Sequence, residues 1–507
     1  MIEMNPAPLH ERLYEIALKR GFLIPSNELY GSVGGFFDYG PVGCLIKRKI
    51  ENSWRDFFLK REGFFEVETS TILPEVVLRA SGHIKHFADP LVECEGCGRR
   101  FRADTLIKEK TGKDAEGAKP EDLNKLIKEN KITCPECGKN LSGVAPFNLM
   151  FKTSIGVGNE NTAYTRPETA QGIFMDFARV FRSFGSKLPI GIGQIGKSYR
   201  NEISPRNVLM RMREFSQMEI EYFFNPKSTR MGRFDEVKNQ KIRIYTREEQ
   251  VARSENASEL TAGEAVERGI VPNEILAYFI ARETQFYQMM GIPYNNLRFR
   301  HLLPEETPHY SGGNFDLEVH TSFGWIETIG NAYRTDYDLR SHAETSKQDL
   351  SVFLEEEKAK ILPHVVEPSF GVDRLFWCML ESCYRKEGGA EGRSWEWFDF
   401  PAGIAPFECG VFPLMKKDGL AEKARALADK LRAEGFDVIY DESGSIGKRY
   451  ARADEIGVPY CITIDYDSLK NEDATIRFRN DGKQARAPLA ELGDRLRAHV
   501  KENKTRM

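Results

Sequence analysis

Gly196-Lys-Ser-Tyr-Arg200-Asn-Glu202, a loop, then Arg211-x-Arg213-Glu214-Phe215-x-Gln217-x-Glu219-x-Glu221 is the stretch on which the fold turns. It reads as two strands, GIGQIGKSYR and REFSQMEIEYFF, joined across NEISPRNVLMRM. Strand alternation puts Phe215, Gln217, Glu219 and Glu221 on one face. Two acids and a glutamine facing the same way in an otherwise aromatic strand need partners, because a core face does not hold them unpaired. The plain alternative is a surface strand with solvated acids. Arg200, at the end of the facing strand, supplies a fixed cation suited to a phosphate.

Upstream, Val42 to Arg61 carries Leu45, Ile46, Ile50, Trp54, Phe57 and Phe58 at helical spacing, with Gly63 as the stop. FFEVETSTIL then reads as a strand closing at Pro74. Near the N-terminus, Leu9, Leu13, Ile16 and Ala17 fit one face of a helix ending near Gly21. Downstream, residues 226–295 read as a charged helical insertion, and strand patterns resume at FDLEVH, GWIETIGNAYRTDYDL and HVVEPSFGVDR. FGWIETIG is polar at a level a buried strand accepts only if it lines a site. After Pro401 the rhythm becomes strand–helix alternation, with LAEKARALADKLRAEG as an amphipathic helix and FDVIYD and YCITID as buried strands, which describes a small α/β domain.

Two further signals carry chemistry. Cys94-x-x-Cys97-Gly98 and Cys134-x-x-Cys137-Gly138 have the knuckle form of a tetrahedral structural zinc site with no open position. The intervening segment is too polar to fold without such a staple. Glu367-Pro-Ser369-Phe-Gly371-Val-Asp-Arg374 places a guanidinium at the opening of an apolar helix, LFWCML, where an anion is favoured. Cys44, Cys378, Cys383, Cys409 and Cys461 sit among apolar neighbours and read as buried thiols.

The chain of 507 residues is too long for one core. It has no run near the roughly 20 apolar residues that span a bilayer, and its N-terminus lacks the apolar centre of a signal peptide. A cytoplasmic protein is expected. A net charge of −4 does not announce a nucleic-acid binder, so any such contact must come from local basic patches.

Taken together, these stretches resemble the three signature motifs of the class II aminoacyl-tRNA synthetases. The first is the helix and strand ending at Pro74, the second runs from Arg200-x-Glu202 to Glu221, and the third is Gly371-x-x-Arg374. No convincing HIGH-like or KMSKS-like signature of class I is present. Within class II the chain is most similar to the dimeric glycyl-tRNA synthetases. The supporting stretches are Arg79-x-Ser81-Gly-His83, Tyr164-Thr-Arg-Pro-Glu168-Thr-Ala-Gln-Gly172, Gly324-Trp-Ile-Glu327, Arg334-Thr-Asp-Tyr-Asp338 and Glu367-Pro-Ser-Phe-Gly371. Residues 444–459 resemble the anticodon-binding domain shared with prolyl, threonyl and histidyl synthetases.

The resemblance implies an α+β fold. Its antiparallel-sheet catalytic core is split over residues 1–87, 146–225 and 296–400, with a zinc-bearing insertion at 88–145, the helical insertion, and an anticodon-binding domain at 401–507. It implies ATP, Mg²⁺, glycine and tRNA(Gly) as substrates and partners, and a homodimer. ATP would meet Arg200, Asn201, Glu202, Met210, Arg211, Met212, Arg213, Glu214 and Phe215 from the second motif. It would also meet Glu327, Thr328, Gly371, Val372, Asp373 and Arg374. Arg200 would hold the α-phosphate, Phe215 would stack on adenine with Glu202 on its amino group, and Glu327 would take magnesium; Arg200, Arg374 and Glu327 are the catalytic set. Glycine would meet Arg79, Glu168, Phe215, Ser216, Gln217, Met218, Glu219, Arg334, Glu367, Pro368, Ser369, Phe370 and Gly371, with Glu168, Glu219 and Glu367 around its ammonium. Without ligand those three acids are expected to repel and raise one another's pKa. Arg99, Arg100, Arg102 and Lys108 read equally as an acceptor-stem contact and as a solvated face. Two alternatives remain at this level: another class II synthetase, prolyl or threonyl, and a non-catalytic nucleic-acid-binding paralogue.

Overall fold

A computed structural model describes residues 8–505 except 114, 116, 158–160, 308–310 and 356. The strands of the central sheet, in chain order, are β1 Phe65–Glu66, β2 Ile190–Tyr199, β3 Glu214–Phe224, β4 Lys241–Tyr245, β5 Ser258–Thr261, β6 Leu297–His301, β7 Asn314–Thr321, β8 Gly324–Thr335 and β9 His364–Gly371. They lie in the order β5-β4-β6-β7-β8-β9-β3-β2-β1. β1 runs parallel to β2, and β4 parallel to β6; the other pairings are antiparallel. The architecture is α+β.

One face of this sheet is apolar and the other polar, as period-2 alternation demands. Met218, Ile220, Ile329, Val366 and Phe370 belong to one large buried core with helices α1 (Pro41–Trp54), α2 (Glu274–Met289) and α3 (Val372–Cys383). α1 continues into a π-helical turn at Arg55–Lys60, and Gly63 then adopts φ +69°. The expected strand FFEVETSTIL is instead two short ones, β1 and Ile72–Pro74, the second in a separate three-stranded sheet. The expected strand at GWIETIGNAYRTDYDL stops at Thr335, where φ is +54°, and Tyr337–Ser346 is helical.

Residues 226–295 are only partly helical. Besides the helices Arg247–Val251, Ala262–Glu267 and the 16-residue α2 packed beneath the sheet, they contain β4 and β5, which extend the central sheet. SELT forms the edge strand and KIRIY the strand next to it, and the charged side chains on these short strands obscured their pattern.

Between Ala88 and Asn148 lie three short strands, helices Ala103–Thr111 and Pro120–Glu129, and a small core of their own built on Val92, Leu106, Ile107, Leu123 and Ile127. The C-terminal segment forms a five-stranded sheet of Cys409–Pro413, Val438–Tyr440, Tyr460–Ile464, Asp473–Phe478 and Gln484–Pro488, with helix Leu420–Ala433 packed on it. This segment is not a free appendage. Phe398, Phe400, Phe412, Ala453, Ile456, Val458 and Cys461 all belong to the same core as the catalytic sheet. No helix among the described residues is long and apolar enough to cross a membrane. Of the five remaining cysteines, Cys378, Cys383, Cys409 and Cys461 are buried, but Cys44 is exposed on the outer side of α1.

Candidate active site

The polar face of the sheet forms the floor of a cavity of about 360 Å³. It is lined by Glu168, Arg200, Glu202, Met210, Arg211, Met212, Phe215, Ser216, Gln217 and Glu219, and from β8, β9 and α3 by Glu327, Thr328, Arg334, Glu367, Ser369, Gly371, Asp373 and Arg374. Leu209, Asn314, Gly330 and Ala332 complete it.

Alternation selects most of the lining drawn from β3, β8 and β9, one irregularity adds to it, and the remaining residues come from the segments that flank these strands. Leu317 pairs with Ile329 but Glu318 pairs with Glu327, so Thr328 is an extra residue in β8. Without this bulge Glu327 would point away from the face shared by Gly330, Ala332 and Arg334. With it, both Thr328 and Glu327 reach the cavity. A sequence pattern carries no mark of such a bulge.

At one end of the cavity the charges are buried and tied together. Arg334 donates through Nε and Nη2 to Asp338, at 2.7 and 2.8 Å, and through Nη1 to Glu367 at 2.9 Å. Glu168 accepts from Gln171 Nε2 at 2.7 Å, and its other oxygen lies 3.5 Å from His83 Nε2. Gln171 is itself held by His342 at 2.7 Å, and His83 by Ser81 at 2.7 Å. Thr169 donates to Glu219, and Gln217 donates to Ser369 Oγ at 3.1 Å. Burial, and then the charges of Glu219 and Glu168 acting against Arg334, push Glu367 up to about 8. Burial and Glu168 also raise Glu219. Glu168 differs from expectation. Burial works to raise it, but His83, Arg334 and the Gln171 hydrogen bond together hold it below the usual carboxylate range.

The position of Glu168 rests on Arg166, a residue the motif reading passed over. Arg166 is buried, and donates to Lys197 O at 2.7 Å and Thr69 O at 2.9 Å. It fits because β2 carries glycine at 196: a Cβ there would lie 2.1 Å from Arg166 Nη2.

At the other end two arginines face each other over Phe215 and Glu327. The Arg200 guanidinium lies 5.3 Å from the Phe215 ring centre, and its Nε reaches Pro167 O at 3.2 Å. Arg374 donates to Glu327 O at 2.7 Å and Met210 O at 3.1 Å, and pairs with the Glu327 carboxylate at 3.2 Å. Burial opposes ionisation of Glu327, but Arg374 and Arg200 outweigh it and lower its pKa. The buried Glu202 Oε2 meets no donor among the described residues.

Several sequence expectations fall elsewhere. Arg79 is largely exposed, pairs with Glu75 and does not line the cavity, because its helix turns that side chain outward. Met218, Pro368, Phe370 and Val372 are buried outside the cavity lining, at the alternate positions of their strands or within α3. Asn201, Arg213 and Glu214 flank the cavity without lining it; Arg213 is spent on Glu202 O and Gly34 O. Asp373 lines it, but accepts from the Ser216 amide and Tyr39 hydroxyl, both at 2.5 Å, and so locks α3 to β3.

In the 88–145 segment the two knuckles have the same turn. Gly98 and Gly138 take φ +68° and +70°, a region that favours glycine, and their amides return to Cys94 O and Cys134 O at 3.0 and 2.9 Å. The four sulfurs lie within 4.8 Å of one another. The Cys97 and Gly96 amides point at Cys94 Sγ, both at 3.4 Å, and bring that thiol down to about 6. Four thiols converging this closely suit a soft tetrahedral metal. Arg99, Arg100 and Arg102 are paired within the segment, with Glu136, Glu93 and Asp104.

Residues 151–383 match the model of the tRNA synthetase class II core domain (G, H, P, S and T), and residues 408–499 match the anticodon binding domain. The glycine–tRNA ligase of Methanocaldococcus jannaschii is 40% identical over 97% of this chain and 99% of its own length. That of Thermococcus gammatolerans is 43% identical over 96% and 98%. The chain belongs to the glycine–tRNA ligase family. A Giardia lamblia prolyl-tRNA synthetase, solved with prolyl-adenylate, shares the fold with a TM-score of 0.61 but only 15% identity, covering 98% of this chain and 80% of that one. In glycine–tRNA ligase terms, the acidic end of the cavity and the arginine end are parts of one class II core.

Proposed function

We propose that the cavity holds ATP and glycine side by side, forms glycyl-adenylate, and passes glycine to the 3′ end of tRNA(Gly). The observation that carries this is the acidic end: the carboxyl groups of Glu168, Glu219 and Glu367 line one end of the cavity, and Arg334, the cation bonded to Glu367, is shared with Asp338. An α-ammonium supplies the missing charge. A prolyl or threonyl pocket has no need of three such acids, and an inactive paralogue has no reason to keep Arg200, Glu327 and Arg374 together.

In this reading the glycine carboxylate lies against Arg200. One of its oxygens attacks the α-phosphorus, the α–β bridging bond breaks, and pyrophosphate leaves with that electron pair. The nucleophile is already ionised, so positioning and charge neutralisation do the work. Arg200 neutralises the α-phosphoryl oxygens, Arg374 faces the leaving phosphates, Phe215 offers its ring to adenine, and Glu202 Oε2, which has Arg211 at 3.8 Å but no hydrogen bond, accepts from the adenine amino group. Glu327 offers an all-oxygen donor to magnesium, which would neutralise phosphate charge when bound. In the second step the terminal tRNA hydroxyl attacks the glycyl carbonyl and AMP leaves.

We assign residues 88–145 to a zinc module held by Cys94, Cys97, Cys134 and Cys137, with a structural role only. Residues 401–507 are assigned to anticodon contact, and the chain to a cytoplasmic homodimer. Metal analysis is expected to give one zinc per chain. Cys134→Ser should open the 88–145 segment to protease while leaving glycine-dependent exchange measurable; zinc-free protein of normal protease resistance would refute the module.

The whole reading is tested by pyrophosphate exchange with each of the twenty amino acids. Glycine alone should support it. Preference for proline or threonine would favour a related ligase, and no exchange with any amino acid would favour the inactive paralogue.

A further inference from the structure

Behind the acidic pocket, and outside its lining, sits Glu221. The register that pairs Glu219 with Ser369 and Tyr222 with Val366 sets Glu221 opposite Glu367 on the neighbouring strand. Carboxylate oxygens of Glu219, Glu221 and Glu367 lie within 4.8 Å of one another, and all three side chains are buried. Neither Glu221 oxygen meets a hydrogen-bond donor among the described residues. A fully buried, unpartnered carboxylate facing another across a strand pair is not tolerated in ionised form. It is tolerated if it keeps a proton and donates that proton to its neighbour.

We propose that Glu221 is a positioning residue that stays protonated and donates a hydrogen bond to Glu367, and that glycine's ammonium displaces one proton from Glu367 on binding. This rests on the glycine reading above and deepens it. The groups facing the pair are Glu219 on the same strand as Glu221, Arg334 on β8, which holds Glu367 at 2.9 Å, and Glu168 ahead of the helix Ala170–Ser183. His83 touches Glu168, and Asp338 shares Arg334. Burial and the charge of Glu367 raise Glu221 far above the ordinary range, and Glu367 holds its proton to about 8. In the empty pocket both are therefore mostly neutral at pH 7. When the ammonium enters, the Glu367 proton goes to buffer, Glu367 becomes the counter-ion, and Glu221 keeps its own proton and aims it at Glu367.

The sign follows from linkage: a proton released on binding makes glycine bind tighter as pH rises, by up to about tenfold per unit while Glu367 is still protonated. Titration calorimetry of the full chain with glycine at pH 7.5, in buffers of different ionisation enthalpy, should report roughly three-quarters of a proton released, the fraction of Glu367 still protonated there. Glu221→Gln mimics the protonated acid and should keep the glycine KM within about threefold of wild type at each pH from 7 to 9. Glu221→Leu removes the donor and should raise that KM at least tenfold with the ATP KM unchanged. Zero proton release, or a Glu221→Gln enzyme as damaged as Glu221→Leu, overturns the proposal. If Glu221→Leu does not fold, the calorimetry and Glu221→Gln still decide it. Wild-type protein that binds no glycine would instead overturn the glycine reading.

Discussion

At the end of the cavity assigned to glycine, Arg334, Asp338 and Glu367 keep only 6%, 2% and 10% of their side-chain surface. At the end assigned to ATP, Arg374 keeps 31% and Glu327 49%. The first set is cross-linked side chain to side chain, while the arginines of the second lean on the carbonyls of Pro167, Met210 and Glu327. The two ligands pose opposite problems. Glycine has no side chain to grip, so discrimination must come from a wall that does not move. ATP offers many charges, and cations that are solvated beforehand reach it without leaving anything buried behind. Stability and catalysis should therefore separate along the cavity.

The largest expected effect breaks the buried end. Arg334→Ala leaves the buried Asp338 without its cation and Glu367 without a hydrogen-bond donor, and removing one partner of a buried pair costs about 3–5 kcal/mol. Chemical denaturation should show a loss of that size. A variant as stable as wild type would mean that this end is no more rigid than the other.

Arg200→Ala makes the opposite break. It should cost about 3–4 kcal/mol of transition-state stabilisation, as for loss of a preorganised charge at the reacting centre. Stability should fall by only about 0.5–1.5 kcal/mol, the cost of the one hydrogen bond to Pro167 O. Pyrophosphate exchange near the wild-type rate would remove Arg200 from the chemistry.

How far this contrast could be read in advance differs between the ends. Arg200, Glu202, Phe215, Glu327 and Arg374 were legible because each sits inside a short motif. The supports of the acidic end were not. Arg166, Thr169, Gln171 and His83 fall inside the quoted stretches, but their roles do not show there: Arg166, Thr169 and His83 act through contacts to segments far apart in the chain, and Gln171, three residues past Glu168, is fixed by the distant His342. The bulge that turns Glu327 inward was equally silent. β4 and β5 were misread as helical because short strands at a sheet edge and next to it carry the charges that normally mark exposed helices. The boundary at Pro401 is visible as a change of rhythm, but not the shared core of Phe398, Phe400, Ile456 and Val458 across it. A chain cut there would expose that core.

Gly196→Ala sharpens the role of one hidden support. The new methyl lies 2.1 Å from Arg166 Nη2, and Arg166 is too well bonded to swing aside. A loss of about 1–3 kcal/mol in stability is expected. Because Arg166 opens the segment that carries Glu168, the glycine KM should rise while the ATP KM holds. Equal changes in both would mean that Arg166 braces the sheet as a whole.

The smallest effect asks how hard the wall is. Ser369 Oγ accepts from Gln217 at 3.1 Å and also bonds Glu219, so the hydroxyl fixes two side chains that line the pocket. Ser369→Gly removes it and leaves a gap. Losing such a hydrogen bond costs about 0.5–1.5 kcal/mol, and stability should fall by that much. The effect on selectivity has a different origin. A pocket that merely prefers the smaller of two neighbours through apolar contact separates them by about 1–3 kcal/mol per methylene. A wall can do better, because overlap rises steeply with distance, and it loses that advantage once a side chain is free to move. Exchange with alanine should therefore increase relative to glycine in Ser369→Gly, through both the vacated space and the freed Gln217. An unchanged alanine-to-glycine ratio, with the expected stability loss present, would place the wall against Cβ elsewhere in the pocket.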